Sequence, residues 1–496
     1  MARFPQPIKK SDFISGMVTD VSDTIVPENS VALGVNLDFD IVLGAAVSRL
    51  GTSIVGAQLV SGQNILGLHQ HIDSVTPANN LLLAALNASG DATATIKNVT
   101  SGADVVTDLT ASTKVRFLTY GGATLAINGV DAERSYTQAG GWITGGGVFN
   151  LESVPGSNSC QLVIEFLDRV YVAGDSAEPS RLHYSGLFDG SAVAWAGDYV
   201  DIEAEDAGGA ITALSKVPGY LLIFKERSIH RWNFSSAFPE SLVQVGTPSQ
   251  ESVVQSGGLV FFYSNSSDDA RGFYVTNGGR PQCISQDTTR TVKRFIDAIP
   301  SANEADICAT ATDRTILWSV GTLTVDGETY TNVVFKYNRI LNQWSIRTYP
   351  SRHRVYANYI VSSVNTRVAG DSNGTVSRID VPSIYADNGT KIDWKMRTQP
   401  DTFGTNRLKT LLKDIYVRGE NLMGMNTRVI PDGDYTKGEV VSSGAKWFRK
   451  ILSWITVGSS VNGTTLAIEL SGSSTAARAI IKEIEIPGVD AKESYE

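Results

Sequence analysis

Seven times along the chain an apolar run breaks at a small polar or glycine-rich tip, and a second apolar run follows. The tips fall near Asn79, Gly121, Asp168, Pro218, Gly257, Asp313 and Asn365, at separations of 42, 47, 50, 39, 56 and 52 residues. A recurrence of roughly 40–55 residues, each unit made of short strands, is the sequence sign of a β-propeller. One four-stranded blade cannot cover both of its own faces, but blades stacked in a circle cover each other. Seven tips predict six or seven blades. An eight-stranded sandwich followed by a second sandwich is the rival architecture.

The units share a build. Tyr220-Leu221-Leu222-Ile223-Phe224 is a continuous apolar run, as expected of a strand covered on both faces. Lys225-Glu226-Arg227 turns the chain and Ser228-Ile229-His230-Arg231-Trp232 returns. Residues 161–166 repeat the pattern, with a turn at Leu167-Asp168-Arg169 and a return through Val170-Tyr171-Val172-Ala173. Helical signal is nearly absent; the best stretch, 291–299, spans about two turns.

The flanks differ. Residues 1–50 predict an extended arm in which Val35, Leu37 and Phe39 alternate with polar neighbours, the pattern of a strand with one buried face. The propeller is assigned to 51–385. From 386 to 496 longer alternating strands, such as 465–470 and 480–486, predict an antiparallel β-sandwich. Trp447, Phe448, Ile451 and Trp454 follow roughly helical spacing there, and suit a short helix or a bent strand.

The whole is an all-β, soluble composition: 42% hydrophobic, 19% charged and 46 glycines among 496 residues. A net charge of −9 argues against a sequence-independent nucleic-acid binder, which needs Lys and Arg to neutralise phosphates. Cys160, Cys283 and Cys308 are too few and too scattered for a disulfide framework. The first residues lack the apolar core of a secretory signal, and the most apolar window, 41–60, is broken by Arg49 and several glycines. These features predict a chain made in a reducing cytosol with no membrane-spanning segment.

No catalytic signature assembles: there is no Gly-x-Ser-x-Gly elbow, Walker loop, His-Glu-x-x-His or EF-hand loop. His69-Gln70-His71 places two imidazoles on one face of a strand, but no acidic or cysteine partner lies near in sequence. A surface or partly buried pair is the better reading. The Ser-x-Asp-x-Gly-x-Thr-Trp turn of propeller sialidases is missing from every unit, and Asp371-Ser372-Asn373-Gly374-Thr375 is ordinary hairpin chemistry. Lys225-Glu226-Arg227 and Arg352-His353-Arg354 read as solvated hairpin ends, and strand-end aromatics such as Tyr171, Phe262 and Tyr337 as packing between blades. No catalytic, cofactor or metal residue is assigned.

One resemblance adds to this. Ile211-Thr212-Ala213-Leu214, residues 221–229, 245–254 and 258–262, and Gly272-Phe273-Tyr274 resemble a stretch of propeller-bearing structural proteins of tailed phages. The arm adds Phe13-x-x-Gly16, Pro27-x-Asn29, Asn36-x-Asp38-Phe39-Asp40, Gly44 and Arg49-Leu50-Gly51. The order of these motifs, over roughly 10–485, resembles the tail nozzle or tail hub proteins of short-tailed bacteriophages. That resemblance implies a homo-hexameric ring in the virion tail, assembled in the host cytoplasm. It would sit below a portal and adaptor, carry tail fibres or tailspikes, and let double-stranded DNA pass through its lumen. The family implies no catalytic residues and no cofactor. An acidic wall suits such a conduit, because like charge limits adhesion. A receptor-binding or glycan-degrading propeller is the alternative function, and a non-viral interaction scaffold is the third.

Overall fold

The computed structural model describes residues 8–491, apart from 20–25, 74–75, 77–79, 91, 155–158, 204–208, 237, 268–270, 287–290, 362, 402–408, 412–414, 423, 432–438, 443–452, 456–461, 464 and 487–488. The chain is almost entirely β. Two short helices, Lys293–Asp297 and Ser301–Glu304, lie between strands in and just after the stretch where the sequence carries its best helical signal.

Seven four-stranded blades follow one another, with innermost strands Ile65–His71, Arg116–Tyr120, Leu162–Phe166, Ile211–Val217, Val254–Ser256, Cys308–Ala311 and His353–Val361. Each innermost strand touches the next, and His353–Val361 touches Ile65–His71, so the blades close into a ring. Five of the seven sequence tips, Gly121, Asp168, Pro218, Gly257 and Asp313, fall at the turn joining a blade's innermost strand to its second strand. Asn79 itself lies outside the described residues and Asn365 one residue inside the second strand.

Continuous apolar runs build the second strands because both faces are covered. Leu221, Ile223 and Trp232 pack toward blade 3, while Leu222 and Phe224 pack toward Val260 and Phe262 of blade 5. Aromatic rings cross the same seams: Tyr171 meets Trp232 edge-on with centroids 6.0 Å apart, and Phe224 meets Phe262 at 5.2 Å.

Ring closure uses two devices. Ser53–Ile54, which precedes blade 1 in sequence, supplies the outermost strand of blade 7, with Ser377 opposite Ile54 and Arg378 opposite Ser53. At the axis the Gln70 amide bonds both backbone groups of Ile360, donating at 3.0 Å and accepting at 2.7 Å. A side-chain amide there completes the hydrogen bonding that a strand edge leaves open.

The amino-terminal arm departs from expectation. Its strand Ser30–Val35 is inserted between Gln343–Thr348, the outer strand of blade 6, and Thr390–Thr398 of the C-terminal region. One sheet thus runs from blade 6 through the arm to Leu466–Ser474, Asn426–Pro431 and Glu439–Ser442. A second sheet carries Leu37–Asp38, Ala46–Ser48, Ile480–Ile486, Ile415–Glu420 and Ser453–Ile455, with Ile8–Ser11 also paired to Ile480–Ile486. Their facing apolar residues join one core, in which Val31, Leu33 and Leu37 of the arm meet Val417, Ile468 and Ile481. Residues 30–48 therefore form an integral part of two sheets and not a separate extended arm. Half-buried alternation needs a partner sheet, and this chain supplies it. Of the aromatic cluster near 450, positions 447, 448 and 451 lie outside the described residues. Trp454 lies in a strand opposite Tyr416, not in a helix.

Candidate functional site

Charge gathers at the end of the propeller axis where the innermost strands begin, and at the joint where the arm meets blade 6 and the sandwich.

At the axial mouth Glu251 sits in the turn Gln250–Ser252 that leads into blade 5. Its Oε1 accepts from Arg116 Nε at 2.9 Å, and its Oε2 lies 3.3 Å from Lys114 Nζ. Arg116 opens blade 2, and blades 2 and 5 are not neighbours, so these bonds cross the middle of the ring. Lys114 also donates to the Ala305 carbonyl at 3.0 Å and faces Asp306 at 3.5 Å; Arg354 of blade 7 pairs with Asp306 at 3.0 Å. Gln161 of blade 3 accepts from Arg116 through its carbonyl at 3.0 Å. Five blades are laced together here. Beside them lies a polar pocket of about 370 Å³, edged by Gln161, Asp175, Thr212 and Ser249.

Burial alone would raise the Glu251 carboxyl, but Arg116 and Lys114 hold it down at about 2. It is therefore ionised at any physiological pH and has no proton to give a leaving group. A depressed carboxylate contributes stability that is present above its ordinary value of 4.5 and lost as pH falls toward about 2. Replacing Glu251→Gln is expected to cost about 1–2 kcal/mol, since the pairs are part-exposed. Chemical denaturation at pH 7 and pH 3 checks this: the gap between parent and variant should narrow in acid.

At the joint Asp38, 3% exposed, is the hub. Lys336 Nζ and Arg347 Nη2 each approach its Oδ1 at 2.9 Å, and Arg478 Nη2 reaches its Oδ2 at 3.1 Å. Lys336 and Arg347 belong to blade 6, while Arg478 immediately precedes the sandwich strand Ile480–Ile486. Asp40 adds a 2.7 Å bond to Lys336, and Asp380 takes Arg347 and Arg367 at 2.7 and 2.5 Å. Arg49 pairs with Asp387 and stacks over Tyr349 at 4.2 Å. Desolvation works against the Asp38 carboxylate, yet Arg347 and Lys336 hold it well below the ordinary range. Such a cluster fixes geometry; it leaves no group poised to react.

Next to this joint an open groove of about 620 Å³ and mixed lining runs between the strand Glu328–Asn338 and the sandwich, edged by Tyr330, Trp394, Lys391, Lys395 and Ser473. It is the roomier of the two recesses.

The residues singled out from sequence are placed as follows. His69 bonds Thr119 at 2.7 Å and stacks on Phe117, and His71 bonds Thr124 at 2.8 Å. His69 is half-buried, as the sequence reading expects, and His71 is buried; burial, with His71 adding, drives His69 down to about 4. No group of three or more His, Cys, Asp or Glu able to hold a metal occurs among the described residues. In the charged triplets Glu226 and Arg227 are exposed, as solvated hairpin ends should be, but one residue of each triplet turns inward. Lys225 is fully buried and donates to the Glu203 carbonyl at 2.9 Å, while His353 is buried and bonded to the Tyr356 hydroxyl at 2.9 Å. For these two residues a backbone carbonyl and an aromatic hydroxyl replace water. Asp371 accepts from the Asn373 and Thr375 amides as a turn carboxylate. Sequence reasoning gave no electrostatic role to Asp38, Arg49 or Glu251. Asp38 and Asp40 flanking Phe39 in an otherwise apolar alternation was the available signal. No helix among the described residues is long and apolar enough to cross a membrane.

No protein-family model and no curated protein matches the chain. Among solved structures, it is similar to YCF48 from Cyanidioschyzon merolae at 11% identity and a TM-score of 0.40, over 66% of this chain and 98% of that one. The computationally designed Ika8 protein aligns at 10% identity and a TM-score of 0.38, over 67% and 100%. The N-terminal domain of Nup159 aligns at 11% identity and a TM-score of 0.37, over 71% and 99%. The propeller assignment rests on the strand pairing of this chain itself, seven blades and a woven C-terminal sandwich.

Proposed function

We propose that this chain is a structural part of a phage tail: a subunit of a ring-shaped nozzle or hub that continues the DNA channel below the portal and adaptor. The observation that carries the reading is where the buried charge is spent. Asp38 locks arm, blade 6 and sandwich into one block, and Glu251 laces the blades across the axis. Charge used this way resists deformation and performs no turnover, which is what a load-carrying brick needs. The motif order along 10–485 points to the same family, and the net charge of −9 suits a wall past which DNA slides.

On this reading the subunit forms a homo-hexamer, meets an adaptor on one side and fibres or tailspikes on the other, resides in the virion tail and has no enzymatic activity. Because the arm is woven into its own chain, ring contacts fall to the outer faces of propeller and sandwich. Native mass spectrometry of the purified chain, followed by cryo-microscopy of the particle, tests it. The expected result is a closed ring stacked on a portal-proximal ring. A chain that stays monomeric at high concentration and is missing from purified tails would end the proposal.

A glycan-binding appendage is the second reading, and the open groove where Tyr330 and Trp394 lie beside Lys391 and Lys395 is the feature that favours it. A glycan array with no bound sugar removes it.

A further inference from the structure

The turn between the first two strands of a blade provides its own internal control. In blade 2 it is Gly121-Gly122, with φ of 59° and 78°, and in blade 5 it is Gly257-Gly258, with φ of 56° and 77°. Two successive left-handed residues form the tight hairpin turn whose twist matches its strands, and glycine occupies them without steric cost. Blade 3 makes the same turn with Leu167-Asp168, at φ of 50° and 57°. A leucine in that region brings its β-carbon against the backbone. Nor does burial compensate, for Leu167 is 53% exposed. The fold therefore gains nothing from leucine at this position, and strain of this kind gathers where a surface has work to do.

The surroundings make a continuous patch. The Phe188 amide donates to the Asp168 carbonyl at 3.0 Å, which brings Leu187, 61% exposed, beside the turn. The half-buried rings of Phe188 and Tyr120 form a floor, with centroids 5.0 Å apart, that spans blades 2 and 3. Phe188 fits only because Gly121 has no side chain: a β-carbon there would lie 2.4 Å from the ring. Acid edges the patch. The Asp168 carboxylate accepts from the Tyr120 hydroxyl, and Asp189 Oδ1 is held by Ser191 and Ala192, so each is oriented. Neither forms an ion pair with a cation of the described residues.

We propose that Leu167 and Leu187, with Asp168 and Asp189, form a docking surface for a protein segment that presents an aliphatic side chain next to a lysine or arginine. Two exposed leucines on a rigid, aromatic-floored tip are a preorganised apolar anchor. The oriented carboxylates supply the complementary charge and set which partners approach. The same carboxylates repel nucleic acid and an anionic bilayer, so a basic polypeptide is the favoured occupant. This surface goes beyond the tail reading and stands or falls apart from it.

The test is to pan a random peptide display library against the full chain and measure the enriched peptide, fluorescein-labelled, by anisotropy. Enriched sequences are expected to pair an aliphatic residue with Lys or Arg. Leu187→Ser and Asp189→Asn should each weaken binding about tenfold, or about 1.4 kcal/mol. Leu167→Gly should weaken it equally while the melting temperature holds or rises, because the strain is relieved. Three outcomes overturn the proposal: no enrichment, enriched peptides without basic residues, or equal affinity for the parent and all three variants.

Discussion

Asp38→Asn is expected to be the most damaging single substitution of a charged residue in this chain, lowering stability at pH 7 by about 3–5 kcal/mol. The side chain is nearly the same size, so packing hardly changes; what is lost is the one negative charge that Lys336, Arg347 and Arg478 share. Asp40 and Asp380 still hold Lys336 and Arg347, but the three cations lose the charge that stands between them, and water has little access to replace it. Because the three cations come from blade 6 and the sandwich, the loss is expected to uncouple the C-terminal region from the propeller. A second melting transition should then appear. Differential scanning calorimetry reads both effects, with a drop in the main midpoint of about 3–5 °C for a chain of this length. The pH dependence gives an independent check. The folded carboxyl sits below its ordinary value of 3.8, so its stabilisation is complete above that value and disappears as pH falls through the folded one. Parent and variant should converge in strong acid. A variant that melts within a degree or two of the parent at pH 7 would show that the cluster is decorative.

Glu133→Gln is expected to do the opposite and stabilise the chain in alkali. Glu133 is 3% exposed, beneath three successive left-handed glycines, 145–147, with φ of 64°, 66° and 76°. Its Oε1 accepts from the Leu151 amide at 2.9 Å, while its Oε2 has no well-formed hydrogen bond among the described residues. Burial, with Glu152 adding repulsion, raises the carboxyl to about 7 from an ordinary 4.5. The sign follows from which form is disfavoured. The protonated acid fits the fold, so the folded state takes up a proton that the unfolded state has released. Stability is therefore highest below about 4.5 and declines as pH rises to about 7, by about 3 kcal/mol in all. Glutamine keeps the acceptor for Leu151 and never ionises. Parent and variant should melt together near pH 5, with the variant higher at pH 8.5. Hydrogen exchange should also show the 145–154 loop opening less in the variant at high pH. Coincident melting curves from pH 5 to 9 would mean that the carboxylate is tolerated where it sits.

These two residues show how unevenly the sequence spoke. Turns are local chemistry, so the tips at Gly121, Pro218 and Gly257 could be read from neighbouring residues and fell where the blades turn. Double-sided burial writes itself into a run such as 220–224, and that strand is central in its blade. The charged residues were harder. Asp38 finds Lys336 298 residues away and Arg347 309 residues away. Nothing in the local alternation of the arm says which carboxylate will meet a cation. Lys225 looked solvated because hairpin tips usually are, yet the fold turned it into a seam.

What the chain determined by itself is therefore the part governed by period and turn: an all-β succession of blade units, a differently patterned pair of flanks, and the position of most blade hairpins. What only the tertiary structure decided is how those pieces close and lock. The ring seals with Ser53–Ile54, the arm threads between blade 6 and the sandwich, and scattered charges become one cluster around Asp38. The physical reason is range: strand period and turn geometry are fixed by residues a few positions apart. Buried ion pairs and sheet edges are completed by partners hundreds of positions away, which a linear pattern does not encode.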